Sequence, residues 1–151
     1  MLALSQQDIL QAAIEVDVLQ QELVEAFFAQ NPGVTEFGSL TDFPKAGQLQ
    51  LGGQTWRYRK HGLGYSFLSD QGCVIDAHNH FNRGLRWVDA HRVTEYLLSV
   101  RADLGQMDEL HTLIEGGLEA LEKQGFLARA ANSPTAWEIR SEGRWTALSE
   151  G

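Results

Sequence analysis

The period of the hydrophobic pattern changes twice along this chain, and that change restricts the fold more than any other feature. Residues 5–30 repeat their apolar side chains at helical spacing: Ile9, Ala13, Val16, Leu23 and Phe27 fall on one face, with Gln20 filling the gap. Residues 48–78 alternate instead. Leu49 and Leu51 interleave with glutamines, and Trp56 and Tyr58 oppose Arg57 and Arg59. Gly52-Gly53 supplies a tight turn between these two runs. Helical spacing then returns over 88–124. A chain that is helical, then alternating, then helical must segregate its helices from an antiparallel sheet, which is the α+β class.

Local signals refine this order. Ser5 and Asp8 form a box-like start for the first helix, and Asn31-Pro32-Gly33 stops it. Strands are expected at Gln54 to Lys60, Tyr65 to Leu68 and Cys73 to Ala77, giving a meander of three or four strands over 48–78. Residues 88–103 read as a helix with Val88, His91, Val93, Leu97, Leu98 and Val100 on its apolar side. Residues 107–124 read as another, with Leu110, Leu113, Ile114, Leu118 and Leu121 inward and Gly125 as its stop. Short strands over 126–148 complete a C-terminal hairpin. The expectation is one domain over 1–151, comprising helix 1–30, meander 48–78, helical pair 88–124 and hairpin 126–148. Trp56, Trp87, Trp137 and Trp145 are expected in the core.

Charge narrows the partners. The formal net charge is −8. Residues 1–30 carry Asp8, Glu15, Asp17, Glu22 and Glu25 and no Lys or Arg, whereas residues 31–60 are basic through Lys45, Arg57, Arg59 and Lys60. Asp8, Glu15 and Glu22 lie seven apart and so form a stripe. Such a surface attracts basic proteins and repels phosphate backbones. The end of the chain, a helix followed by a hairpin, has the look of a winged helix. However, acids and bases cancel over 121–151, so the basic patch that nucleic-acid binding needs is missing. The first residues lack the basic and apolar regions of a signal peptide, and no run reaches the ~20 apolar residues of a membrane span. The single cysteine, Cys73, rules out an internal disulfide and sits in an expected buried strand. A cytoplasmic bacterial protein with no cofactor is expected.

One segment points to metal chemistry. Asp76-Ala77-His78-Asn79-His80 resembles the first metal motif of the amidohydrolase superfamily, in which alternate imidazoles face one ion. That family builds its site on a barrel of ~250 residues. Here only 71 residues follow His80, and they contribute only His91 and His111 as further imidazoles. The superfamily is therefore set aside. A small hydrolase site of Asp76, His78 and His80 stays as the alternative. The favoured reading makes His61, Asp76, His78, Asp89 and Arg92 a structural polar network, since buried polar groups pair.

A wider pattern runs W-R-Y-R-K-H-G-L-G-Y at 56–65, D-Q-G-C-V-I-D-A-H at 70–78 and W-V-D-A-H-R-V-T-E-Y at 87–96. It resembles a family of small uncharacterised bacterial domains with an HG-x-G strand, a G-x-x-x-D strand and a D-x-x-R-x-x-x-Y helix. The resemblance implies an accessory role in toxin systems: a non-catalytic immunity protein whose partner is a basic toxin domain encoded nearby. It supplies no catalytic residues, and the charge and hydropathy read above lead to the expectation of no nucleic acid and no membrane. The partner contacts expected from the acidic segments are Asp8, Glu15, Glu22, Asp108, Glu109 and Glu115.

The two functional readings differ in metal content. For a binding protein, elemental analysis of the purified chain finds no stoichiometric metal, and a chelator leaves its melting temperature unchanged. One tightly held ion per chain, with melting lowered by chelator, selects the hydrolase.

Overall fold

In the computed structural model, residues 4–34, 43–61, 64–77, 88–106, 109–130 and 135–140 are described. The α+β order of the sequence reading holds. A long helix α1 (Gln6–Gln30) precedes four strands, β1 (Ala46–Leu51), β2 (Gln54–His61), β3 (Gly64–Ser69) and β4 (Val74–Ala77). A two-residue strand β5 (Val88–Asp89) leads into α2 (Ala90–Val100), a turn of 3-10 helix at Ala102–Gln106, and α3 (Leu110–Lys123). Strands β6 (Leu127–Arg129) and β7 (Ala136–Ile139) close the described chain. By contacts the chain divides into two compact units, one formed by residues 1–17 and 86–151 and the other by residues 18–85.

Helix α1 begins as its sequence demands. The Asp8 amide donates to Ser5 Oγ at 3.1 Å, and the Ser5 amide donates back to Asp8 Oδ2 at 2.9 Å. Two of the helix's orphan donors are thereby satisfied, which is worth on the order of 1 kcal/mol. At the other end, Asn31 Nδ2 donates to the Phe27 carbonyl at 2.9 Å. The buried face is wider than the single expected stripe. Leu10, Ala12, Asp17, Val24 and Phe28 are buried alongside Ile9, Ala13, Val16, Gln20, Leu23 and Phe27.

In the second unit, β1–β4 form an antiparallel meander in chain order. Gly52 and Gly53 both have positive φ, 61° and 77°, as a two-residue hairpin with native twist requires. Alternation sends Leu49, Trp56, Tyr58, Tyr65, Phe67 and Ile75 inward. There they meet the second half of α1. Phe27 lies 4.7 Å from Tyr65 and 5.3 Å from Tyr58 by ring centroids, the latter edge-to-face, and stacks on Phe43 at 6.2 Å. The Tyr65 hydroxyl donates to the Pro44 carbonyl at 2.6 Å, and burial pushes its pKa well above the ordinary value. Cys73 is half-buried in the turn before β4, outside the strand expected to hold it.

In the first unit, β5, β7 and β6 form a small antiparallel sheet in that order. The expected helix start at Val88 is corrected here. Val88 and Asp89 pair with Trp137 and Ala136 of β7, and α2 starts only at Ala90 because Asp89 caps it. Helix α2 packs on α3, and α3 on β6. The inward face of α2 is Ala90, Arg92, Val93 and Leu97, whereas His91, Leu98 and Val100 are exposed. In α3, Leu113 is 41% exposed and Gly117 takes an inward place instead. A Cβ at Gly117 would meet the end of the Ile9 side chain, which would have to shift, so glycine eases the approach of α1 there. Helix α3 ends as expected. Gly125 has φ 86°, the Phe126 amide donates to the Leu121 carbonyl, and the Gly125 amide donates to that of Glu122.

Two glycines test these packing arguments in opposite directions. A Cβ at Gly47 would overlap the Tyr58 ring, itself held among Phe27, Tyr65 and Phe67. Gly47→Ala is expected to destabilise by about 1–3 kcal/mol. A Cβ at Gly116, on the exposed side of α3, meets nothing within 4 Å. Gly116→Ala is expected to stabilise by about 0.5–1 kcal/mol through helix propensity. Urea unfolding midpoints of the two variants check both signs.

Candidate functional site

Helix α2 positions the first group of candidate residues. Asp89 Oδ1 accepts from the Arg92 amide at 2.8 Å, so this carboxylate serves as a helix cap. The Arg92 side chain is buried, at 4% exposure. The backbone of Arg92 is thus engaged in the cap, and its side chain lies inward on α2. His61 and Asp76 belong to the other unit. Backbone register sets His61 opposite Gly64, and Asp76 opposite Ser66, which is itself opposite Arg59. His78 and His80 lie outside the described residues. Among the described residues, no group of three His, Cys, Asp or Glu is placed to hold a metal. Of the expected network, Asp89 and Arg92 begin α2, and His61 and Asp76 occupy β2 and β4.

The acidic positions sort by burial. Asp17 is fully buried and contributes nothing to the surface, against the simple count of acids over 1–30. Glu15, Glu22, Glu109 and Glu115 are exposed, Asp8 is half-buried, and Asp108 lies outside the described residues. Asp8 and Glu15 line a shallow groove of about 210 Å³ between the start of α1 and the end of α2. Its apolar wall includes Tyr96, Leu97 and Val100, the last 48% exposed. Arg101 stands at its edge, held by Asp103 at 2.7 Å. That contact holds the Asp103 carboxyl below its ordinary pKa and raises that of Arg101. The pair cancels itself, so Asp8 and Glu15 set the sign of the groove.

Helix α3 extends the same character. Among the described residues of the first unit, α3 is followed by β6 and β7, and β7 bonds to β5, so the end of the chain keeps the helix-then-strands order that the sequence reading likened to the end of a winged helix. A DNA-binding module of this kind presents a basic second helix to the major groove. Here the exposed side of α3 carries Glu109, Glu115 and Glu119 against Lys123. Among the described residues, the exposed charge of this helix is thus mainly acidic.

Below α3, Glu122 links the helix to the sheet. It accepts from Trp137 Nε1 at 2.9 Å and from Arg129 at 2.8 Å, while the Arg129 guanidinium lies 4.5 Å from the centre of the Trp137 ring. Trp137 is 2% exposed, so its indole N–H needs this acceptor. Sequence spacing missed the cluster because its members come from three elements.

The other unit presents a different surface, also missed as a site. The outward face of β1–β4 forms a concavity of about 640 Å³ lined by Arg57, Arg59, Leu68 and Val74 among others. Both arginines are exposed. The alternation of Arg57 and Arg59 with Trp56 and Tyr58 was the available signal.

Compared with known proteins, a family model described as a domain of unknown function matches residues 9–139. No curated protein and no solved structure matches.

The Glu122 cluster generates a pH prediction. The Trp137 N–H first, and then Arg129, hold the Glu122 carboxyl below its ordinary pKa. A carboxylate whose pKa is depressed by folding contributes stability above its unfolded pKa and loses it as pH falls through the folded value. Glu122→Gln is therefore expected to be less stable than the parent at pH 7. The gap should shrink as pH falls through and below the ordinary glutamate range. Urea unfolding at stepped pH measures the gap, and a gap constant with pH refutes the charge argument.

Proposed function

The chain belongs to this family, DUF6896, whose function is unknown, and we propose that it is a non-catalytic binding protein that neutralises a bacterial toxin as its immunity protein. The partner is a basic toxin domain encoded nearby, met by direct contact in the cytoplasm. The observation carrying this reading is the groove between α1 and α2. Asp8 and Glu15 flank exposed apolar surface at Val100, with Tyr96 beside it. Protein interfaces combine such apolar centres, often including Tyr, with a polar rim. The acidic side of α3 adds Glu109, Glu115 and Glu119 to a surface of the same sign. Complementary charge of this kind accelerates encounter and selects against acidic partners.

The reading assigns separate duties to the polar residues. Asp89 caps a helix and Glu122 ties α3 to β7, so their loss lowers stability. Glu15 is exposed and spends nothing on the fold, so its loss lowers partner binding alone. Asp8 does both, because it completes the box at the start of α1 and lines the groove.

Titration calorimetry of the full chain against the product of the neighbouring gene tests the proposal. A Kd below ~10 μM is expected, and binding no tighter than this, about −7 kcal/mol, overturns it. Glu15→Lys should slow association about tenfold at low salt, and the difference should close as salt rises. Unchanged association kinetics would move the contact away from this groove.

A further inference from the structure

The sheet of the second unit offers a surface of opposite chemistry to the acidic helices. Register places Gln48, Arg57, Leu68 and Val74 in one row across the four strands, and Ala46, Arg59, Ser66 and Asp76 in the next. The two arginines therefore project from the same side of β2, two residues apart. Strand rise puts their Cα atoms roughly 6.7 Å apart. Among the described residues lining the concavity they are the only charges. Asp70, just past the end of β3, accepts from the Thr55 amide at 3.4 Å. Beside Arg57 the floor is apolar: Leu68 is 38% exposed and Val74 half-buried. Small residues at Ala46 and Ser66, in the row of Arg59, keep the floor low.

We infer that this face of the β1–β4 sheet binds an acidic, extended polypeptide segment of a partner, with carboxylates at alternate residues on Arg57 and Arg59 and apolar side chains over Leu68 and Val74. The spacing agrees, since an extended segment also places alternate side chains roughly 6.7 Å apart. Guanidinium groups suit carboxylates because their forked donors bind both oxygens. Nucleic acid fits this floor less well. The aromatic rings of the described sheet, Trp56, Tyr58, Tyr65 and Phe67, are all buried at 7% exposure or less, so none is presented for base stacking. A chain of net charge −8 with two cations at the site also gains little from a long polyanion. The inference is independent of the acidic groove, which selects basic partners.

Fluorescence anisotropy of the full chain with a fluorescein-labelled twelve-residue peptide, glutamate at alternate positions and otherwise rich in leucine, tests it. Saturable binding is expected, weakening as salt rises. Arg57→Gln with Arg59→Gln should reduce affinity about tenfold or more, with circular dichroism confirming the fold. A peptide with serine for leucine should bind more weakly. Asp8→Asn with Glu15→Gln should leave this binding unchanged, which separates the site from the toxin-contact reading. Absence of binding, or binding indifferent to both arginines, overturns the inference. Arginine-dependent capture of a single-stranded oligonucleotide in place of the peptide also overturns it, as does arginine-dependent self-association with no peptide bound.

Discussion

The breadth of the buried face on α1 is the constraint on which the rest depends. Along its 25 residues the buried positions are numerous, with Ile9 to Val16 counted by contacts in one unit and Leu23 to Phe28 in the other. Each unit then completes its core with its own chemistry. The second unit does so with aromatic rings, packed edge-on and stacked around Phe27. The first does so with aliphatic side chains from α2 and α3, plus one tryptophan whose N–H is answered by Glu122. Such buried area is the main favourable contribution to folding.

From that constraint follows the distribution of charge. Once α1 has turned its apolar stripes inward, Glu15 and Glu22 have nowhere to go but solvent, and Asp8 spends part of its carboxylate on the first turn. The sheet obeys the same logic with the opposite sign. Trp56 and Tyr58 take the inner face of β2, which forces Arg57 and Arg59 outward. Among the described residues, exposed acids on α1 and α3 and the outward arginines of β2 thus present opposite signs of charge.

Much of this was legible from residues alone. The box at Ser5 and Asp8, the Gly52-Gly53 hairpin and the Gly125 stop all appear as read, because each is decided within a few residues by backbone sterics or a local hydrogen bond. The α+β order was legible because the change of hydrophobic period is visible along the chain. Errors cluster where a distant neighbour decides. Leu113 and Leu98 look inward by type and are exposed, since α3 buries Gly117 against Ile9 and α2 buries Arg92. Val88 reads as the start of a helix and is a strand, because a partner 49 positions later, Trp137, supplies its pairing. Asp17 counts as surface charge and is interior.

The sequence by itself thus determined the main elements and their order, the start of α1, the Gly52-Gly53 turn and the stop of α3, because these depend on side chains within one or two turns of each other. Only the tertiary structure decided which acids reach solvent, which carboxylate answers the Trp137 N–H, and that Leu68 and Val74 stand in line with Arg57. Those outcomes depend on groups far apart in the chain, and no local spacing records which distant surfaces will meet.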